Sequence, residues 1–330
     1  MSIGRAGISR RAVLGGAAAA TALPLTGAWA QSFPSQPIRM VVPYPPGGPT
    51  DVFARIIAQE LQATSGWTIV VENKAGASGA IGTREVARAE PDGHIIVLGT
   101  NQTHATNGVL LKEPGYDPVA DFAPVAGIAD LQHALVVRKD LPANSVQELI
   151  ALAKKDPGKL NYGSTGAGSA SHLAMELFKV KTGTNMVHVA FRGAAPMATE
   201  IIAGRIDLAF STLPSVLTQI EGGNMRALAI ASDNRAPQLP NVPRLKDQGV
   251  DGGEADAWLA LFAPAKTPAA TVDALAKAIL AAVAKPDVTA NATKQGMLVN
   301  ARPPAQFRPF QVAEVKKWTE VVRIAGVKID

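Results

Sequence analysis

The sequence contains no cysteine, and this absence removes several classes of protein at once. Without thiols there is no disulfide scaffold, no cysteine nucleophile, no cysteine-ligated zinc and no lipid anchor on a cysteine. Histidine is scarce too, and the five residues, His94, His104, His133, His172 and His188, are at least ten positions apart. Because local metal motifs place histidines a few residues apart, we expect neither a metal site nor a cofactor.

Signatures of catalysis and nucleotide binding are missing as well. The chain has no G-x-S-x-G elbow and no G-x-x-x-x-G-K phosphate loop. Gly76, Gly79 and Gly82 follow a predicted strand, but their G-x-x-G-x-x-G spacing is not that of a dinucleotide fingerprint. The following strand, "HIIVLGTNQ", also lacks the acid that would bind a ribose. We interpret this stretch as a loop and helix start that brings Ser78 to a cleft.

The length and composition of the chain indicate a folded protein with two lobes. The chain has 330 residues, of which 47% are hydrophobic and 18% charged. This length is more than most single cores accommodate, and the composition is globular. The formal net charge is +5, and it falls to +2 once the first thirty residues, with their three arginines and no acid, are removed. We therefore expect no nucleic-acid partner.

The N-terminus has the pattern of an export signal. Arg5, Arg10 and Arg11 precede an apolar stretch, and "AWAQ" places Ala28 and Ala30 around a tryptophan. This pattern predicts a signal peptide over residues 1–30, cleaved near Ala30, and hence a periplasmic protein. The paired arginines also fit a twin-arginine signal, so both export routes stay open. No later segment is apolar for long enough to cross a bilayer.

Short β-rich runs alternate with helical runs along the rest of the chain. "IRMVVPY" precedes "DVFARIIAQELQAT", and "KLNYGST" precedes "ASHLAMELFKVKTG". Such alternation predicts an α/β protein, with mostly parallel sheets flanked by helices in each of two lobes and a ligand cleft between them. We expect residues 33–131 with 254–330 to form one lobe and residues 132–253 the other, joined by strand crossings.

The stretch "PYPPGGPTD" lies between a predicted strand and a predicted helix. Gly47 and Gly48 permit close approach of the backbone, and Thr50 or Asp51 is expected to cap a helix that begins near Val52. Free amides at a helix start, together with the helix dipole, attract anions. A rigid turn without a ligand is the plainer interpretation of this loop taken alone.

A second loop strengthens the case for an anion site. "NYGSTGAGSASHL" again joins a strand to a helix and is rich in glycine and serine. "FRGAAP", with Arg192 and Gly193, is a third candidate. Neither of the first two loops contains Lys or Arg, so we expect backbone amides and hydroxyls to hold the anion. The full predicted set of ligand-binding residues is Tyr44, Gly47, Gly48, Thr50, Asp51, Ser78, Thr100, Asn101, Ser164, Thr165, Gly166, Ala167, Gly168, Ser169, Arg192, Gly193 and Phe210.

Several of these stretches together resemble the solute-binding proteins of the tripartite tricarboxylate transporters, the Bug family. The resemblance is carried by "PIRMVVPYPPGGPTD", "VVENKAGASGAIGTREVARAEPDGH", "YDPVADFAPV", "GKLNYGSTGAGSASHLAMELF", "MVHVAFRGAAP" and "RLKDQGVDG". It implies a monomeric periplasmic binding protein of the type II-like, two-lobed kind, without catalytic activity. Such a protein closes over a small organic carboxylate and delivers it to membrane permease subunits. Pro49 departs from the family's more usual serine.

The ligand class stays open at this point among dicarboxylates, tricarboxylates, acidic amino acids and aromatic acids. Two other functions also remain open. One is a secreted hydrolase or transferase with Ser164 or Ser169 as nucleophile and His172 as the nearby base. The other is a ligand-binding partner of a membrane sensor kinase.

Overall fold

Strands and helices alternate along nearly all of the described chain. The computed structural model describes Met1 and residues 33–327. Residues 36–327 belong to one compact unit, and the few described residues before it form no helix or strand. The predicted signal peptide, residues 1–30, lies outside the described residues except for Met1.

The strands, in chain order, are β1 (Ile38–Val42), β2 (Ile69–Asn73), β3 (Ile95–Thr100), β4 (Phe122–Leu131), β5 (His133–Arg138), β6 (Asn161–Ser164), β7 (Val187–Ala190), β8 (Leu208–Thr212), β9 (Met225–Ile230), β10 (Ala257–Pro264) and β11 (Met297–Arg302). The α-helices are α1 (Pro49–Ser65), α2 (Ala80–Ala87), α3 (Asn107–Leu110), α4 (Val146–Lys155), α5 (Ala170–Thr182), α6 (Ala194–Ile202), α7 (Leu213–Glu221), α8 (Ala269–Val283), α9 (Pro286–Lys294) and α10 (Pro304–Ala325).

The strands form two separate sheets. One has six strands in the order β11-β4-β10-β3-β1-β2, and the other has five in the order β7-β6-β8-β5-β9. The predicted two-lobed α/β architecture is thus confirmed. The expectation that each sheet is mostly parallel needs a correction, because both sheets are mixed: β10 and β11 run against β4, and β5 runs against β8 and β9.

The reversed strands have a physical explanation in how the chain passes between the sheets. β5 follows β4 and β10 follows β9 without an intervening α-helix. Parallel neighbours in one sheet are joined by crossover connections, whereas β5 and β10 each enter from a strand of the other sheet, so no crossover from the preceding strand sets their direction. The sequence pattern predicts a succession of strand–helix–strand units, and these two passages, which contain no α-helix, do not follow it.

The first passage between the sheets is very short. Gln132 alone separates β4 from β5. The Gln132 carbonyl accepts a hydrogen bond from the Leu213 amide at 2.9 Å, and its side-chain amide donates to the Asn234 carbonyl at 2.9 Å. Since Asn234 lies on the second passage, the two passages are tied to each other where the sheets meet.

A pair of buried tryptophans fixes α10 to the first sheet. Trp258 on β10 and Trp318 on α10 are 1% and 0% exposed. Both indole nitrogens donate to one carboxylate oxygen of Glu314, at 3.2 and 2.9 Å. Lys317 forms an ion pair with the same carboxylate at 2.8 Å. A buried carboxylate is stable here because each of these donors satisfies it.

Within the part of the chain that the structure describes, none of the helices is both long enough and apolar enough to span a bilayer.

Candidate functional site

The first glycine loop enters α1 differently from the sequence expectation. The helix begins at Pro49, with Gly48 as N-cap, and no side chain caps it. Pro49 occupies the first helical position, where a missing N–H costs nothing and the fixed φ already suits the helix. The prediction that Thr50 or Asp51 caps a helix starting near Val52 is therefore wrong. Gly47 has a φ of +82°, a conformation that favours glycine.

Asp51, in the first turn of α1, instead stabilises this loop through its carboxylate. Its carboxylate accepts hydrogen bonds from the Gly47 amide at 2.9 Å and the Asn73 side chain at 3.0 Å, and it pairs with Arg55 at 3.0 Å. Burial alone would raise the pKa of Asp51, but the hydrogen bonds from Arg55, Gly47 and Asn73 outweigh it and lower the pKa. The ionised carboxylate thus fixes the conformation of the loop.

Replacing Asp51 with alanine is expected to weaken ligand binding about tenfold and to destabilise the fold by about 1–3 kcal/mol, because the Gly47 and Asn73 donors lose their acceptor. Calorimetry and urea unfolding measure the two effects. Asp51→Asn is the matched control, since it keeps an acceptor oxygen and should lose less of both. Equal affinity in the alanine variant and the wild type would contradict this role.

The second glycine loop joins β6 to α5. Ser169 is the N-cap, and its hydroxyl accepts from the His172 amide. Gly166 and Gly168 have φ values of +143° and +70°. The Ser171 hydroxyl accepts from the Thr165 amide at 2.9 Å. Glycine conformations and short-range hydrogen bonds consequently fix the positions of the hydroxyls and amides of this loop.

Two stacked imidazoles support this loop from inside the lobe. The His172 and His188 rings lie 3.8 Å apart and nearly parallel. The Gly168 amide donates to His172 Nδ1 at 3.0 Å, and Ser164 Oγ lies 2.7 Å from His188 Nε2. Because Nδ1 accepts, His172 is neutral in this arrangement. Burial, and then the neighbouring His188, lowers the pKa of His172 from 6.5 to about 4.

Lowering the pH from 6.5 towards 4 is expected to destabilise the protein. In this window the unfolded chain binds a proton at His172 and the folded chain does not, so the free energy of unfolding falls as the pH falls. Urea unfolding as a function of pH measures the slope. The His172→Gln variant should show a shallower slope. The remainder comes from His104, His133 and His188, whose pKa values burial also lowers. Identical slopes in the two proteins would count against the assignment.

Two further helices begin beside these loops. α6 has Gly193 as its N-cap, with a φ of +111°, and α7 has Thr212, the last residue of β8. The Thr212 and Ser215 hydroxyls lie 2.9 Å apart in the first turn of α7. The first turns of four helices, α1, α5, α6 and α7, therefore reach one cavity, and each presents the positive end of its dipole.

The cavity itself has a volume of about 440 Å³, which is within the range of small-molecule sites. Its wall comprises Tyr44, Pro45, Pro46, Gly47, Gly48, Pro49, Thr50, Thr100, Asn101, Gln102, Leu131, His133, Thr165, Ser169, Ala170, Ser171, Ala194, Thr212, Ser215, Ala257 and Leu259. None of these described residues is Lys, Arg, Asp or Glu. An anion in this cavity would meet amides, hydroxyls and helix dipoles.

The structure brings eight of the predicted residues together in the wall: Tyr44, Gly47, Gly48, Thr50, Thr100, Asn101, Thr165 and Ser169. The Tyr44 hydroxyl lies 2.7 Å from the Thr100 hydroxyl. Asn101 is 2% exposed, and its side-chain amide nitrogen, Nδ2, has no hydrogen-bond partner among the described residues. This nitrogen is therefore an unsatisfied buried donor in a residue that lines the cavity.

The other predicted residues lie outside this wall. They are Asp51, Ser78, Ser164, Gly166, Ala167, Gly168, Arg192, Gly193 and Phe210. Several of them, such as Asp51 and Gly168, form hydrogen bonds that stabilise the two glycine loops. Phe210 is fully buried on β8 and packs edge-on against Phe178, while the Arg192 side chain is exposed.

Sequence reasoning missed part of the wall. Thr212 and Ser215 lie at a strand-to-helix junction, and the rule that found the two glycine loops could have found them. His133, Leu131, Ala257 and Leu259 lie where strands pass between the sheets. Those strands look like ordinary buried strands in the sequence, so no local signal distinguishes their cavity-facing residues.

No group of three or more His, Cys, Asp or Glu side chains in the described part of the chain is arranged to hold a metal ion.

Comparison with known proteins gives a consistent picture. Residues 53–327 match the model of a family described as "Tripartite tricarboxylate transporter family receptor". The chain is similar to a solved structure of R. palustris Rpa4515 with adipate, with 35% identity, a TM-score of 0.82 and coverage of 90% of this chain and 99% of that one. It is also similar to the periplasmic binding protein BugD, at 35% identity and a TM-score of 0.78, over 90% of this chain and 99% of that one.

A third solved structure shows the same fold with another acid. MatC (Rpa3494) from Rhodopseudomonas palustris, solved with bound malate, is 32% identical, with a TM-score of 0.78 and coverage of 88% of this chain and 100% of that one.

Proposed function

The chain belongs to the tripartite tricarboxylate transporter receptor family, and from this premise we propose that it binds a small organic carboxylate between its lobes and delivers it to the permease subunits of a membrane transporter. The observation that carries the proposal is the convergence of four helix starts on an uncharged cavity. Helix-start amides stabilise a carboxylate and leave no buried cation without a partner after release. The adipate and malate bound to the two relatives support the ligand class.

A thermal-shift screen of dicarboxylates, tricarboxylates, acidic amino acids and aromatic acids tests the proposal, with calorimetry on the compounds that respond. A true ligand at a hundredfold its dissociation constant should add about 2.7 kcal/mol to the free energy of unfolding. A set of neutral amides of the same acids is the matched control, since they keep the shape and lose the charge. Binding of the amides and not of the acids would refute a carboxylate receptor.

We assign the two lobes to residues 33–131 with 254–330 and to residues 132–253. The division of the strands between two sheets supports this assignment. The two segments touch where the Gln238 side chain donates to the Thr293 carbonyl at 2.7 Å. Gly296 also approaches α7 so closely that a Cβ there would lie 3.0 Å from the Pro214 nitrogen.

We propose a closing motion in which the lobes rotate about the two passages between the sheets and trap the ligand. Small-angle scattering should then show a smaller radius of gyration when ligand is added. An unchanged profile at saturating ligand would indicate a pocket that is already closed.

We further propose that the protein is a periplasmic monomer, released by cleavage near Ala30, and that it has no catalytic activity. Ser164 does lie 2.7 Å from His188 Nε2, as a nucleophile lies near its base. Its side chain, however, is fully buried and absent from the described cavity wall. Turnover of an ester or amide that is lost in a Ser164→Ala variant would overturn the assignment.

A further inference from the structure

His133 is placed where it can discriminate between carboxylates. It is the first residue of β5, it is 1% exposed, and it lies in the cavity wall. Its Nδ1 atom is 2.7 Å from the Ala255 carbonyl oxygen. A carbonyl oxygen can only accept, so Nδ1 carries the proton. In the neutral ring, Nε2 is therefore a lone-pair acceptor.

The charge state of this ring follows from its surroundings. Complete burial lowers the pKa of His133 from 6.5 to about 4, although the bond to Ala255 opposes the shift. The other titratable side chain in the described wall is Tyr44, whose pKa burial raises. Near neutral pH the ring is consequently uncharged, and Nε2 has no hydrogen-bond partner among the described residues.

A plain carboxylate cannot satisfy Nε2, because both atoms are acceptors. A ligand group that satisfies Nε2 must donate, and a hydroxyl or an ammonium can do so. The described cavity wall contains no Asp or Glu to balance an ammonium, and burying an unpaired cation is costly. A hydroxyl has no such cost.

We propose that this receptor selects carboxylates that carry a hydroxyl group, and that His133 Nε2 accepts a hydrogen bond from that hydroxyl. The inference rests on the proposed function, since it concerns the ligand of the same cavity. It assigns a class, the hydroxy acids, and a specificity-determining side chain.

Matched pairs of acids that differ by one hydroxyl test the inference: malate against succinate, 2-hydroxyglutarate against glutarate, and 3-hydroxyadipate against adipate. Aspartate against succinate tests the ammonium alternative. Calorimetry on the wild type should show, for the pair whose chain length fits, a preference of about tenfold or more for the hydroxy acid, because the plain acid leaves Nε2 unpaired. Aspartate should not share this preference.

Two variants of His133 separate specificity from general binding. In His133→Phe the preference for the hydroxy acid should fall below about threefold, since no acceptor remains. His133→Gln should retain part of it, because an amide can donate to Ala255 and accept from the ligand. Ser215→Ala, which removes a hydroxyl elsewhere in the wall, should weaken both members of a pair alike and leave their ratio unchanged. Ratios are measured within one protein, so a small loss of stability does not affect them.

The outcomes distinguish this inference from the proposed function. If no carboxylate binds the wild type, the proposed function fails and the inference with it. If plain and hydroxy acids bind equally, or if His133→Phe keeps the wild-type ratio, the inference alone is overturned. A stronger affinity for the plain acid as the pH falls from 8 to about 6, lost in His133→Phe, would also overturn it, because the ring would then be a cationic partner of the carboxylate.

Discussion

Replacing Gly48 with valine is expected to abolish ligand binding while the protein stays folded. Gly48 lies in the cavity wall at the N-cap of α1, where the backbone must approach the ligand. Its φ of −78° and ψ of 167° are open to any residue, and a Cβ there would meet only the Pro45 carbonyl oxygen, at 3.7 Å. The protein therefore tolerates the side chain, and the ligand does not. We expect a loss of about a hundredfold or more, since a displaced carboxylate forfeits several charge-assisted hydrogen bonds.

Calorimetry with an acid found in the screen measures this loss, and circular dichroism checks the fold. Gly48→Ala is the graded control and should lose less, because its single methyl group occupies less of the cavity. Arg192→Ala should weaken binding only modestly, since that side chain is exposed and lies outside the described wall. If Arg192→Ala abolished binding and Gly48→Val did not, a side-chain ion pair would hold the anion, and the helix-start account would be wrong.

Replacing Glu314 with leucine is expected to cost about 3–5 kcal/mol of stability. Its carboxylate is the acceptor for the indole nitrogens of Trp258 and Trp318. Both tryptophans are almost completely buried, so water cannot replace the lost acceptor. Each unsatisfied buried donor costs roughly 1–3 kcal/mol. Urea unfolding measures the change directly.

The same helix provides a close control in Glu320. Each glutamate has a basic residue three positions later, Lys317 for Glu314 and Arg323 for Glu320. The Glu320 pair is exposed, with more than half of each side chain accessible, and exposed pairs contribute little. Glu320→Leu should therefore change stability by less than about 0.5 kcal/mol. Similar losses in the two variants would show that the ion pair, and not the indole hydrogen bonds, determines the effect.

The sequence predicted the fold class and both glycine loops because these features have local patterns. Glycine, serine and proline between a β-rich run and a helical run are sufficient to locate the loop that follows β1 and the loop that follows β6. The direction of β5 and β10 was not predicted, because it depends on a direct passage between sheets that leaves no periodic signal. The role of His133 depends on the Ala255 carbonyl, 122 positions away in the chain, and no local pattern indicates such a pairing.

The predicted residues at the end of β3 lie in the cavity wall, whereas the predicted residue within β8 does not. Thr100 is the last residue of β3, Asn101 follows it, and both line the cavity. Phe210 lies two residues before the end of β8 and packs in the core. Side chains at the carboxyl end of a strand adjoin the loops where ligands bind in α/β sheets, whereas Phe210 packs against Phe178 in the core.

The passage at Gln132 sets a limit on how this protein can change over evolutionary time. Leu131 and His133, on either side of Gln132, both face the cavity, so the alternation of side chains continues unbroken from one sheet into the other. Inserting or deleting one residue here would turn His133 and every later side chain of β5 to the opposite face. Substitutions in this segment can change the pocket lining one position at a time, but the length of the segment cannot vary. Among descendants of this sequence, the segment from β4 to β5 should accumulate substitutions and no gaps.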